Sequence, residues 1–141
     1  MANFSTYLSN KLLDHANGKT AFTMPTVYVG VSTTTPTMPA GTGVTEPTAG
    51  TGNYGRVNTN SPQCWGSAAT NSATNSANAI TFGTSSAAWS SGASNCTYLV
   101  AYDASTGGNL LWADPITTPF AVNAAGVTPS AATSQVTNSI T

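Results

Sequence analysis

Residues 97–116, TYLVAYDASTGGNLLWADPI, restrict the fold more than any other part of the chain. Tyr98, Val100 and Tyr102 alternate with Leu99 and Ala101, so a strand here carries apolar side chains on both faces and must be covered on both. Asp103 can accept hydrogen bonds from backbone N–H groups that follow it, and Gly107 and Gly108 supply the positive-φ angles of a reversal. Leu110, Leu111 and Trp112 then return as a second apolar run. Pro115 has no N–H to donate and is expected to end the pairing. The stretch predicts an antiparallel hairpin at the centre of a β protein.

Around this hairpin the other segments read mostly as short strands. Phe4, Tyr7, Leu8, Leu12 and His15 recur at helical spacing, Asn3 or Ser5 can cap the start, and Asn17-Gly18 suits the end. This predicts a short amphipathic helix over 4–16, within an N-terminal arm of residues 1–20 that either packs on its own sheet or docks on a neighbour. Residues 26–33, TVYVGVST, alternate as a strand. Pro36, Pro39 and Pro47 make 34–52 a long extended loop, a length that often marks a partner-binding loop. Residues 53–58 form a short strand with Arg56, the single arginine, expected to make an ion pair or stack on a ring. Residues 67–78, SAATNSATNSAN, read as a polar loop, 79–82 as a strand, and 90–95 as a polar turn preceded by an anchoring Trp89. A strand over 118–123, a loose connection over 124–135 and a last edge strand over 136–141 complete the chain. The pattern predicts an antiparallel β-sandwich over residues 21–141, jelly-roll-like, with a short N-terminal helix.

Charge limits what such a domain can bind. Only Lys11, Lys19, Arg56, Asp14, Glu46, Asp103 and Asp114 are charged, 5% of the chain, against about a quarter in a typical soluble domain. Surface polarity must come instead from 25 Thr, 16 Ser and 13 Asn. A neutral surface does little to oppose protein–protein contact, which favours a component of an assembly. Three cations cannot line a phosphate backbone, so nucleic-acid binding is not expected. No run approaches the roughly 18 apolar residues of a membrane span, and no basic start with an apolar block suggests a secretory signal.

No catalytic constellation emerges, and no enzymatic activity is expected. His15 is the single histidine, and helical neighbours such as Asp14 point elsewhere, so Asp14 does not orient it. Glu46, Asp103 and Asp114 show no pattern that brings two carboxylates together. Cys64, Cys96 and His15 lack zinc-ligand spacing, and the Gly-Thr-Gly triplets at 41–43 and 50–52 have no strand–loop–helix context, so neither metal nor cofactor is expected. In a reducing cytoplasm the cysteines read as two buried thiols, with a disulfide open if their strands adjoin. Trp65, Trp89 and Trp112 read as core or interface anchors, the alternative being a sugar-stacking platform.

The blocks NFSTYLSNKLLDH, TVYVGVSTTTPT, GNYGRV, NAITFGTSSAAW and YLVAYDASTGGNLLWADPITTPFAVNAAG resemble, in order and spacing, a family of small virion structural proteins of tailed bacteriophages. LVAYDASTGGNLLW is the most specific of them. The loop over 34–52 and the C-terminus depart from that family's pattern. Members are often labelled tail fibre protein, and similar small β-sandwiches act as capsid cement or decoration proteins. The resemblance implies a phage structural protein, and taken with the uncharged, Thr/Ser-rich surface the expectation is a cement protein assembled in the host cytoplasm, bound as a dimer or trimer to the major capsid protein on the capsid exterior. Its alternative is a tail fibre or baseplate component that recognises host-surface glycans. Phe4, Tyr7, Leu8, Leu12, Met38, Glu46 and Arg56, from the helix, the long loop and the following strand, are the expected protein-interface residues.

Overall fold

The computed structural model describes residues 3–89 and 95–139. Among these residues one α-helix, α1 (Thr6–Ala16), accompanies nine strands: β1 (Asn3–Phe4), β2 (Tyr28–Ser32), β3 (Val57–Asn58), β4 (Ser72–Thr74), β5 (Ile80–Thr81), β6 (Cys96–Tyr102), β7 (Leu110–Phe120), β8 (Ser130–Ala131) and β9 (Thr137–Ser139). A five-stranded sheet in the order β1-β7-β6-β2-β3 carries the fold, and two-stranded sheets β4-β9 and β5-β8 accompany it. Every pairing is antiparallel. The protein is mainly β, with one short N-terminal helix, as its patterning predicts, and the arrangement is that of a β-sandwich-like fold.

The β6–β7 hairpin forms as expected. Asn109 donates its backbone N–H to Asp103 Oδ1 (2.6 Å) and its side-chain amide to Oδ2 (2.8 Å), while Gly107 and Gly108 take φ of 60° and 75°. Leu99 faces Asp114, Val100 faces Ala113 and Ala101 faces Trp112, but Tyr102 then faces Leu110, leaving Leu111 as the extra residue of a bulge. A bulge turns two successive side chains toward one side. Leu111 and Trp112 both enter the main core for that reason.

Pro115 does not end the strand. β7 runs through it to Phe120, with Pro115 opposite Tyr98. Among the described residues β1 accompanies β7 only as far as Asn3 opposite Ala113, so beyond that point β7 has one strand neighbour. A proline whose missing N–H faces the open side of a strand removes no ladder bond. The strand expected at 118–123 is the end of this same element.

Both faces of the hairpin are covered, for the reason its alternation implied. Val29, Val31, Leu99 and Ala101 meet Leu8, Ile80, Phe82, Trp89, Val122 and Val136 in the main core. On the other face Val100, Leu110 and Ala113 are covered by Met38 and Val44, from the long loop over 34–52. That loop is bound along the edge of β2: Thr33 donates to Thr45 O (2.9 Å) and Thr45 donates to Ser32 Oγ (3.1 Å).

The N-terminal segment differs from expectation in its first residues. Phe4 lies in β1 opposite Trp112, and the helix begins at Thr6. Ser5 is the cap: its Oγ accepts from Leu8 N–H (3.2 Å) and its hydroxyl donates to Leu110 O (2.5 Å), joining α1 to β7. Two polar stretches read as loops carry strands, β4 within 67–78 and β8 within 124–135. Asn75, fully buried, accounts for the first. Its side-chain amide donates to Ala132 O (2.8 Å), its Oδ1 accepts from Val136 N–H (2.8 Å), and its backbone bonds Val136 and Ser134. The edge strand expected over 136–141 is β9, residues 140–141 lying outside the described residues. The turn expected at 90–95 lies outside them too, save for Asn95.

Candidate functional site

Glu46 and Arg56, expected at an interface, are brought together over Gly30 of β2. Arg56 Nη2 lies 2.5 Å from Glu46 Oε2, and Arg56 Nε donates to both carboxylate oxygens at 3.1 and 3.2 Å. The side chains are only 9% and 17% exposed, so water screens the pair weakly. Tyr54 donates its hydroxyl to Glu46 Oε1 (2.7 Å) and accepts Val31 N–H (3.1 Å). Burial, and then the Glu46 charge, push the Tyr54 hydroxyl far above the ordinary tyrosine range, so it remains a donor. Arg56 also stacks on Tyr102, 3.4 Å from the ring centroid, and Nη1 donates to Ala104 O (2.9 Å) and Gly107 O (2.7 Å).

The result is a clamp joining the 34–52 loop, the approach to β3 and the turn of the central hairpin. Gly30 makes room for it. A Cβ at that position would run into Glu46 Oε1 and lie 2.7 Å from the Tyr54 hydroxyl and 3.1 Å from Arg56 Cγ. Gly30→Ala is expected to cost about 2 kcal/mol, because overpacking forces the clamp apart. Equilibrium urea unfolding would measure it, and a loss below about 0.5 kcal/mol would mean that the network shifts freely.

The other expected interface residues are also engaged within the chain. Leu8 is buried, Phe4, Tyr7 and Leu12 pack part-buried against the main core, and Met38 covers the second face. Leu13 of the helix, absent from that expectation, is 59% exposed. His15 Nδ1 accepts Phe22 N–H (3.0 Å), and Asp14 pairs with Lys19 at 3.5 Å on the surface.

Trp89 and Trp112 are 4% and 5% exposed and lie in the core, so neither presents a face for sugar stacking. Trp65 is half-buried, stands edge-on to Trp112 at 5.5 Å and donates to Thr59 Oγ1 (3.1 Å). Cys64 and Cys96 are buried free thiols, and burial pushes the Cys96 thiol up to about 11.

A cleft of about 490 Å³ lies between the outer half of β7 and the strands of the C-terminal segment. Phe82, Leu99, Ile116, Phe120 and Val136 form its apolar lining, with Asp114 among them. Asp114 is 7% exposed, and its Oδ2 has no hydrogen-bond partner among the described residues. Nothing in the sequence distinguished this carboxylate from the other two; its position opposite Leu99, on the core side of the sheet, does. Burial raises its pKa from 3.8 to about 6, against the weaker opposing effect of the chain's α-amino charge.

A raised carboxyl pKa means that the folded state binds the proton more tightly than the unfolded state. The associated stability is fully present below pH 4 and is lost as pH rises through about 6. Asp114→Asn is therefore expected to stabilise the protein at pH 7 by about 1–2 kcal/mol, the full shift being discounted for solvent screening. It should also flatten the fall in stability between pH 4 and 6. Thermal melts of both proteins across that range would test this, and parallel pH profiles would refute it.

A family model described as Podophage GP4 fiber I protein gp80 matches residues 3–139. No curated protein matches the chain.

Proposed function

The chain belongs to the Podophage GP4 fiber I protein gp80 family, of phage virion structural proteins, and on that premise we propose that it is a building block of the tail fibre, working through protein contacts rather than catalysis. The match over nearly the whole chain is the observation that carries this reading, and its description favours a fibre over the capsid-cement role that the sequence blocks suggested. The surface chemistry agrees with an assembled part. With 5% charged residues and abundant Thr, Ser and Asn, copies or neighbouring proteins can approach without strong repulsion. Self-association into a dimer or trimer, and contact with other tail proteins, follow as the partners of this reading. No cofactor or nucleic acid enters it.

Copy number tests it. Quantitative mass spectrometry of purified virions is expected to find a small, fixed number of copies per particle, and antibody labelling to fall on the tail. One copy per major capsid protein subunit, or a simple fraction such as one third, would assign the protein to the capsid exterior and overturn the fibre reading.

A further inference from the structure

Residues 17–20 fold back over the end of α1. Asn17 N–H donates to Leu13 O (2.9 Å), Gly18 N–H to His15 O (3.1 Å), and the N–H groups of Lys19 and Thr20 both to Asp14 O (2.9 and 3.3 Å). The stretch over 21–26, which leads on to β2, is tied down far less. Val27 N–H, just beyond it, donates to Asn60 Oδ1 (2.6 Å). Within it, the one hydrogen bond among the described residues runs from Phe22 N–H to His15 Nδ1 (3.0 Å). Ala21, Thr23, Met24 and Thr26 are exposed, and Phe22 is only part-buried against the main core.

This acceptor fixes the state of the ring. Nδ1 accepts only while it carries no proton, which puts the proton of the neutral imidazole on Nε2. Protonation gives Nδ1 a hydrogen of its own, and two N–H groups then oppose each other. His15 lies in the last turn of α1, where the helix dipole favours a cation. Acid therefore removes the bond to Phe22 without undoing the helix. No neighbouring charge locks the ring in one state. Lys11, one turn earlier, stands over the Tyr7 ring at 5.8 Å, and Asp14 is paired with Lys19. On the sheet that α1 packs against, Asp103 is held by Asn109 and Asp114 lies in the cleft beside β7. Among the described residues none forms an ion pair with His15.

We propose that His15 is a pH-sensitive clasp for the strap of residues 21–26, closed while the ring is neutral and released when Nδ1 takes a proton. Release lets Phe22 leave the core and leaves α1 joined to β2 by a loose link. Histidine is the side chain whose charge ordinarily changes between about pH 5 and 8, and His15 is the only one in the chain.

Nitrogen-15 NMR of the full chain tests the clasp. At about pH 8 the His15 ring shifts are expected to show Nδ1 without a proton, and the Phe22 amide to be protected from hydrogen exchange relative to an unstructured peptide at the same pH. As the ring titrates on the way to about pH 5, that protection is expected to fall about fivefold, the effect of one hydrogen bond. His15→Asn places a non-titrating oxygen near the position of Nδ1 and is expected to keep the protection at both ends of the range. His15→Ala is expected to lack it at both. The proposal is overturned if Nδ1 carries the proton at the higher pH, if Phe22 protection does not change as the ring titrates, or if it survives in His15→Ala. It is overturned equally if His15→Asn shows the same fall, which would assign the effect to Asp114, a carboxyl that takes up its proton at about pH 6.

Discussion

Glu46→Ala is expected to lower the unfolding free energy by about 3 kcal/mol, the scale on which removing one member of a buried ion pair destabilises a protein. The cost comes mainly from what is left behind. Arg56 would keep its place beneath the loop with no carboxylate, and the Tyr54 hydroxyl, 2.7 Å from Glu46 Oε1, would lose its acceptor. Arg56→Ala should cost a similar amount, since it leaves Glu46 unpaired and removes two donors from the turn at Ala104 and Gly107. The double variant should cost clearly less than the sum, because neither charge then remains without the other. Urea unfolding of the four proteins completes the cycle. Additive losses would show that the two charges act independently, contrary to the geometry. Raised salt should change little, in contrast to the exposed pair of Lys19 and Asp14.

Trp89→Ala is expected to have the largest effect of any single substitution considered, about 4 kcal/mol. Trp89 meets Tyr54, Phe82 and Phe120 edge-on, at centroid distances of 4.8, 5.8 and 6.5 Å, so its removal leaves a cavity at a junction of rings. The same junction joins the main core to the clamp, since Tyr54 belongs to both. Trp89→Phe should be much milder, at about 1 kcal/mol, because the Trp89 Nε1 has no hydrogen-bond partner among the described residues and the swap removes that buried donor. Trp65 and Trp112 remain as fluorescence probes of unfolding in both variants. Equal losses in the two would mean that packing volume at this junction is unimportant.

The site was less legible in the sequence than the fold. Arg56 was correctly read as an ion-pairing or stacking residue, but Glu46, ten positions earlier and across a proline-rich loop, could not be joined to it by any spacing rule. Gly30 offered no signal at all, since its role is the space above it. No spacing rule marks Asp114, because its side chain is fixed by β7 opposite Leu99 and enclosed by segments some twenty residues further on. Asn75 lay in a run of Ser, Ala, Thr and Asn, where hydrophobic periodicity carries no information. Its hydrogen bonds to the C-terminal segment replace apolar contact as the reason the chain is ordered there.

What the sequence determined by itself was local. The hairpin over 97–116, with Asp103, Gly107 and Gly108 at its turn, follows from period-two alternation and from backbone angles that few residues adopt. The Ser5 cap and the Asn17-Gly18 stop follow from the unsatisfied N–H and C=O groups at helix ends. Tertiary structure decided the rest. Whether Pro115 ends a strand depends on whether a neighbour lies beside it, and β1 comes from the other end of the chain. Whether a carboxylate is paired, as in Glu46, or enclosed without a partner, as in Asp114, depends on which distant segments close over it. Dielectric shielding and hydrogen-bond satisfaction are properties of that enclosure and of no stretch of residues taken alone.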